Sequence, residues 1–204
     1  MIHNYQSARE REPYAMRFGI AFQPGPQQDV RPGEPGIFVR RPRADHPGSL
    51  KPLSRFEAVT GRWGLVPLFS KDGEDPLFEA AAETAATERN FLQPWKRGHR
   101  CVVLADALVI EGRNGPGSLQ HLSRADGTVL TVAGLWNGWR SPQGQCVESF
   151  AILTVRCEGG QRHPALLHDA WLEDWLACPV EETTAFLRPY SPESELVRRE
   201  ISGT

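Results

Sequence analysis

Glycine and proline punctuate this chain so often that long helices are disfavoured from the outset: 19 Gly and 17 Pro fall among 204 residues. Proline lacks an amide donor and glycine loses the most conformational entropy in a regular element, so the chain reads as many turns joining short strands. At 40% hydrophobic and 24% charged it still carries enough apolar material for a globular core. No apolar run approaches the roughly 20 residues of a membrane span, so no membrane partner is expected. The opening Met1-Ile2-His3-Asn4-Tyr5-Gln6 lacks the basic head and apolar stretch of a secretory signal, and a cytoplasmic location is the expectation.

Residues 1–14 are polar and charge-rich and predict an arm or short helix outside the core, leaving 15–204 as one domain. Alternating large and small side chains at Met16-Arg17-Phe18-Gly19-Ile20-Ala21-Phe22 predict a strand. Residues 23–36 hold four prolines and three glycines and read as a loop, before a strand at Ile37-Phe38-Val39 and a polar loop from Arg40 to about Lys51. A strand within 56–67 is closed by Pro67. Local propensity over the Ala-rich residues 79–90 favours a helix. A short helix is predicted at 91–96, strands at 101–105, 108–110, 129–135 and 150–155, a turn at 112–117, and a hairpin turn at Arg124-Ala125-Asp126-Gly127. Leu167, Trp171, Leu172, Trp175 and Leu176 share one helical face; a further short helix at 180–187 and a closing strand at 195–201 complete the chain. Without βαβ alternation, the class is α+β around a mixed or antiparallel sheet.

The chemistry-bearing residues exclude several classes. Cys101, Cys146, Cys157 and Cys178 have no CxxC spacing and read as free thiols; Cys157, His163 and His168 fit no common zinc set, so no metal is expected. Walker, GxGxxG, GxSxG and HExxH patterns are all missing, and no cofactor is expected. A net charge of −2 excludes polyanion binding by bulk charge alone. The distribution is uneven: residues 1–71 carry 11 Lys/Arg against 6 Asp/Glu, and residues 101–204 carry 8 against 13. A basic face and an ordinary solvated surface both fit that asymmetry. Trp171 and Trp175 read as core, whereas Trp63, Trp136 and Trp139, near Arg62 and Arg140, suit either base stacking or packing at strand ends.

A collinear set of segments carries a family resemblance. Gly61-Arg62-Trp63-Gly64-Leu65-Val66-Pro67 resembles a WGLVP segment, Ala82-Glu83-Thr84-Ala85-Ala86-Thr87 the second half of a NARAET-x-A-T motif, and residues 95–106 a basic stretch leading into a Cys-containing strand ending Ala-Asp. Ala133-Gly134-Leu135-Trp136 matches AGLW, Phe150-Ala151-Ile152-Leu153-Thr154 matches the strand after it, and Asp29-Val30-Arg31-Pro32-Gly33 a worn YNxAP turn. Across roughly residues 15–178 the chain resembles the SRAP family, the SOS response-associated peptidases or abasic-site processing proteins. The resemblance implies a single compact α+β domain around a curved, β-barrel-like mixed or antiparallel sheet with a few short helices. It also implies a basic groove for single-stranded DNA, with residues 79–90 lining it rather than forming a plain helix.

The family's chemistry needs a cysteine directly after the initiator methionine, whose amine and thiol both add to the aldehyde of an abasic site. It also needs a motif asparagine, a glutamate and a histidine. Carried over residue by residue, these are not matched. Position 2 is Ile2; aligning Arg17-Phe18 with the family's C-G-R-F start puts the cysteine position at Ala15. The motif asparagine falls at Glu79 and its arginine at Ala81. The glutamate position falls at Ile110 with Glu111 adjacent, and the histidine position near Gly160 with His163 three residues on. The expectation is therefore an SRAP scaffold, catalytically silent, that binds single-stranded or damaged DNA through Arg17, Arg62, Trp63, Thr84, Arg97 and Arg162. The alternatives are an enzyme with a changed site using Glu79, Glu111, His163 or Cys157, and a module whose groove binds a protein partner.

Overall fold

A computed structural model describes residues 1–22, 29–43, 54–112, 117–157 and 159–201. In chain order the elements are β1 (Ile2–Ser7), α1 (Glu12–Phe18), β2 (Asp29–Val30), β3 (Pro35–Arg40), β4 (Glu57–Trp63), β5 (Glu79–Ala81), α2 (Leu92–Lys96), β6 (Arg100–Glu111), β7 (Leu119–Arg124), β8 (Leu130–Arg140), β9 (Cys146–Arg156), β10 (Arg162–Pro164), α3 (Leu172–Ala177) and β11 (Leu196–Ile201). Five of the strands close on themselves. β3 pairs with β4, β4 runs parallel to β9, β9 pairs with β8, β8 with the first half of β6, and β6 returns to β3. The result is a closed mixed barrel of the α+β class, the sheet that the resemblance implied.

Alternation along the barrel strands sorts the core into two faces. Phe38, Trp63, Cys101, Val103, Val132, Phe150 and Ile152 pack together inside the ring. Val39, Val102, Leu104, Ala133, Leu135, Ala151 and Leu153 face the other way and are covered by Phe18 of α1, Trp95 of α2, and Leu172, Trp175 and Leu176 of α3. The second half of β6 bends out of the barrel and takes up β1 and β7, with β2 beyond β1 and β11 beyond β7. No helix among the described residues is long and apolar enough to cross a membrane.

The start of the chain differs from the sequence reading. Residues 2–7 are a sheet strand rather than an arm outside the core: Ile2, Tyr5 and Ser7 are buried while His3 faces solvent, and Tyr5 meets Trp63 edge-on with ring centroids 5.4 Å apart. The strand expected from Met16 is instead the end of α1. Pro13 and Glu12 open that helix, Tyr14 and Phe18 bury at a spacing of four, and Gly19 closes it at φ 62°, a left-handed conformation suited to glycine. The large–small alternation came from a helix face whose outward residues, Met16 and Arg17, are exposed.

Residues 79–90 do not form a plain helix; β5 is followed by a chain of turns in which the Ala82 and Ala85 side chains seat in the core. Residues 180–187 are largely 3-10 rather than α-helical, and the helix read from Leu167 starts at Leu172 after a short 3-10 turn at Asp169–Trp171. Of the predicted loops, residues 23–28 and 44–53 lie outside the described residues, as do 113–116 of the predicted turn; Asp29–Val30 within the first loop is strand β2.

Candidate nucleic-acid interface

Two segments meet the first two residues, and a third is tied to one of them. Glu79, on β5 opposite Ile152 of β9, accepts the Ile2 backbone N–H on Oε1 at 2.5 Å. Glu111, at the end of β6, places Oε2 3.2 Å from the Met1 ammonium, while its own N–H donates to the Met1 carbonyl at 3.0 Å. The turn before β10 is tied in by Gln161, whose amide donates to the Gly112 carbonyl at 3.3 Å. Ile2 therefore stands beside the residue that aligns with the motif asparagine. Ala15, where the sequence alignment put the cysteine position, sits on α1 instead. A register read from Arg17-Phe18 could not foresee this, because those residues belong to a helix.

The resulting site holds two carboxylates and an apolar side chain. Cys101 lies buried in the barrel, where burial pushes its thiol pKa far up and leaves it inert. His163 is on β10 opposite Val155 and lines a small cleft with Cys157, Tyr190 and Arg198, whereas Glu79 and Glu111 flank the chain start. The two glutamates meet the chain start, and His163 follows two residues after Gln161, whose turn is tied to Gly112 beside Glu111.

The six predicted DNA contacts also separate. Arg162 is held tightly: Nε donates to Thr154 Oγ1 at 3.0 Å, and Nη2 to the Thr154 carbonyl at 3.0 Å and to Glu83 at 2.5 Å. Partial desolvation pushes the Glu83 carboxyl up, but the Arg162 hydrogen bond and two backbone amides outweigh it and bring the pKa down to about 2. Thr84, next along the turn, is exposed. Arg62 is half-buried and donates to the Gly73 carbonyl at 3.2 Å. Trp63 is fully buried with its indole N–H on the Phe78 carbonyl at 3.0 Å, so it cannot stack on a base; burial of a large aromatic outweighs a surface role here. Trp136 and Trp139 are buried as well. Arg97 is exposed just after α2. Arg17 is on α1, 3.6 Å from Glu173, beside a cleft of about 630 Å³ whose other walls include Arg9, Asp106 and Asp169.

Sequence reasoning placed Trp171 in the core, although it is 38% exposed, and missed an aromatic that is exposed further still. Beyond Pro67 the chain leaves the barrel, and Leu68 and Phe69 stand out at 37% and 49% exposure. The Arg89 guanidinium lies over the Phe69 ring, 4.3 Å from its centroid. The loop carrying them is fixed by Trp139, whose indole N–H donates to the Ser70 carbonyl at 2.9 Å, and by the Arg62 bond to Gly73. Attention to tryptophan hid this residue; the available signal was an aromatic two positions after the proline that closes a strand.

Comparison with known proteins completes the site's context. The family profile of SOS response associated peptidases (SRAP) matches residues 3–204. The abasic site processing protein HMCES of Mus musculus is 26% identical over 191 residues, covering 70% of this chain and 54% of that protein. The abasic site processing protein YoqW of Bacillus subtilis is 27% identical over 124 residues, covering 56% and 55%. The chain thus spans about half the length of the curated relatives it matches. A crystal structure of a Bordetella bronchiseptica protein superposes with a TM-score of 0.79 at 30% identity, over 98% of this chain and 99% of that one. On the profile match over nearly its whole length, with a barrel that agrees, the chain belongs to the SRAP family.

Proposed function

We propose that this SRAP-family protein binds single-stranded or damaged DNA without forming the covalent link to an abasic site. The observation that carries the reading is Ile2, a buried hydrocarbon side chain, beside Glu79, where the family chemistry needs a thiol beside an asparagine. A thiazolidine cannot form without that thiol. The DNA part of the reading draws on relatives named for processing abasic sites and on the surface around Phe69. An exposed ring offers a sequence-tolerant stacking platform, and Arg89 and Arg62 beside the same loop offer charge for phosphates. Glu79, and Glu83 paired with Arg162, weaken the field that a phosphate would feel, so affinity is modest.

Titrating the protein into a labelled single-stranded oligonucleotide, with and without one abasic site, tests this by fluorescence anisotropy. The expected result is salt-sensitive binding that weakens in Phe69→Ala. Failure to bind at low salt would overturn the reading in favour of a groove that recognises protein.

A further inference from the structure

The cleft beside α1 combines an apolar wall with carboxylates and one buried hydroxyl that has no partner. About 630 Å³ in volume, within the range of small-molecule sites, it lies between α1 and the turn that joins β7 to β8. The sheet ladder sets its shape. β6 pairs with β8 at Leu104–Thr131 and Ala105–Leu130, so Asp106 comes next, beside Val129. Asp169 stands over Thr131, whose hydroxyl is 3.4 Å from its Oδ1. The two carboxylates are therefore offset along the strand by two residues, roughly 7 Å. Val129, Pro13 and the Tyr14 ring supply the apolar lining.

Tyr14 is 8% exposed, and among the described residues its hydroxyl makes no hydrogen bond. Burial first, and then the Asp169 carboxylate, push its pKa up to about 12, so the group stays a neutral hydroxyl whose oxygen can accept. A buried polar group left unpaired is costly, and a ligand donor would satisfy it. Asp169 uses Oδ1 for Arg124, at 3.3 Å, as well as for Thr131, and among the described residues Oδ2 accepts no hydrogen bond. The lining holds Glu10, Asp106 and Asp169 against Arg9 and Arg17. Arg9 pairs with Asp106 at 3.4 Å, and Arg17 pairs with Glu173, outside the lining, at 3.6 Å. What the cleft offers a ligand is thus acceptors: the Tyr14 oxygen, Asp169 Oδ2 and the Glu10 carboxylate.

We infer that this cleft binds a small aliphatic polyamine. One ammonium donates to the Tyr14 oxygen and Asp169 Oδ2, the methylene chain lies on Val129 and Pro13, and a second ammonium reaches Asp106 and Glu10. An ammonium is a compact charge with three donors and no acceptor, which suits oxygens that approach from different walls. A propyl or butyl chain spans the step between the two carboxylates and uses the apolar wall, as a bare metal ion would not. Phosphate or carboxylate ligands would meet three like charges.

Calorimetric titration with spermidine at low salt tests this for wild type, Tyr14→Phe, Asp169→Asn and Arg17→Gln, with thermal unfolding to verify folding. Saturable binding is expected for wild type. Tyr14→Phe keeps the ring and loses only the acceptor, and should weaken binding about fivefold; Asp169→Asn should weaken it about tenfold. Arg17→Gln removes a competing cation and should tighten it severalfold. No saturable binding by wild type overturns the inference, as do folded Tyr14→Phe and Asp169→Asn proteins that bind as wild type does. Weaker binding in Arg17→Gln overturns it as well, since only an anionic ligand would need that guanidinium. Magnesium displacing spermidine at equal charge overturns it in favour of diffuse counterion attraction. Tighter binding of an acetylated oligolysine of equal charge overturns the free amine in favour of a basic protein segment. Each result is independent of whether the protein binds DNA.

Discussion

Lowering the pH from 8 to 5 should destabilise this protein through one imidazole. His99 is pressed against Trp136, its Nδ1 is buried with no hydrogen-bond partner, and Arg97, Arg43 and Arg40 surround it. Burial first, and then these cations, move its pKa from 6.5 to about 4. Between those values the unfolded chain binds a proton that the folded one refuses, so stability is full above about pH 6.5 and falls as the pH drops towards 4. At 1.36 kcal/mol per pH unit the loss is about 2 kcal/mol by pH 5 and approaches about 3 kcal/mol near pH 4. Urea unfolding at a series of pH values measures it, and His99→Phe is the control, since phenylalanine retains the stack without the titration. The two curves should differ in slope by close to one proton between pH 6.5 and 4. Parallel curves, or an NMR titration placing His99 near 6.5, would refute the reasoning.

Arg100 is buried among neutral acceptors, donating to the Trp175 carbonyl at 2.6 Å, to Thr183 Oγ1 at 2.9 Å and to the Cys178 carbonyl. Arg100→Met should cost about 3–5 kcal/mol in urea unfolding, because the end of α3 loses its cap and the acceptors stay buried; a loss under about 1 kcal/mol would contradict this. The pKa of Glu83, held to about 2, implies stability that is present above its ordinary 4.5 and lost as the pH falls towards 2; Glu83→Gln should flatten that part of an acid-unfolding curve. Phe69→Ala should leave the thermal midpoint nearly unchanged, as the ring is half exposed, while weakening single-stranded DNA binding about five- to a hundredfold. Removing a carboxylate from the groove through Glu79→Asn should strengthen binding severalfold at low salt, and an unchanged affinity would remove Glu79 from the groove.

The barrel was legible because its strands carry unbroken apolar runs: residues 101–105 and 150–155 are buried on both faces, as the sequence pattern required. α1 was not legible, since a seven-residue helix with two buried residues can imitate strand alternation until the left-handed Gly19 cap is visible. The turns after β5 went against local propensity because Ala82 and Ala85 are chosen for small volume under the core, a tertiary requirement. The role of residues 2–7 was hidden for a similar reason. His3, Asn4 and Gln6 look like a solvated arm until β1 is seen pairing with β2 and β6. At the site, residue identities at aligned positions revealed the missing thiol, but only folding brought Ile2 to Glu79 and buried Trp63 away from any ligand.

The most direct test mixes the protein with a labelled single-stranded oligonucleotide bearing one abasic site and runs the same mixture on native and denaturing gels. A complex on the native gel that dissociates completely on the denaturing one is the predicted result. A band that survives denaturation would contradict the account, because the site would then retain a nucleophile able to capture the abasic aldehyde despite Ile2.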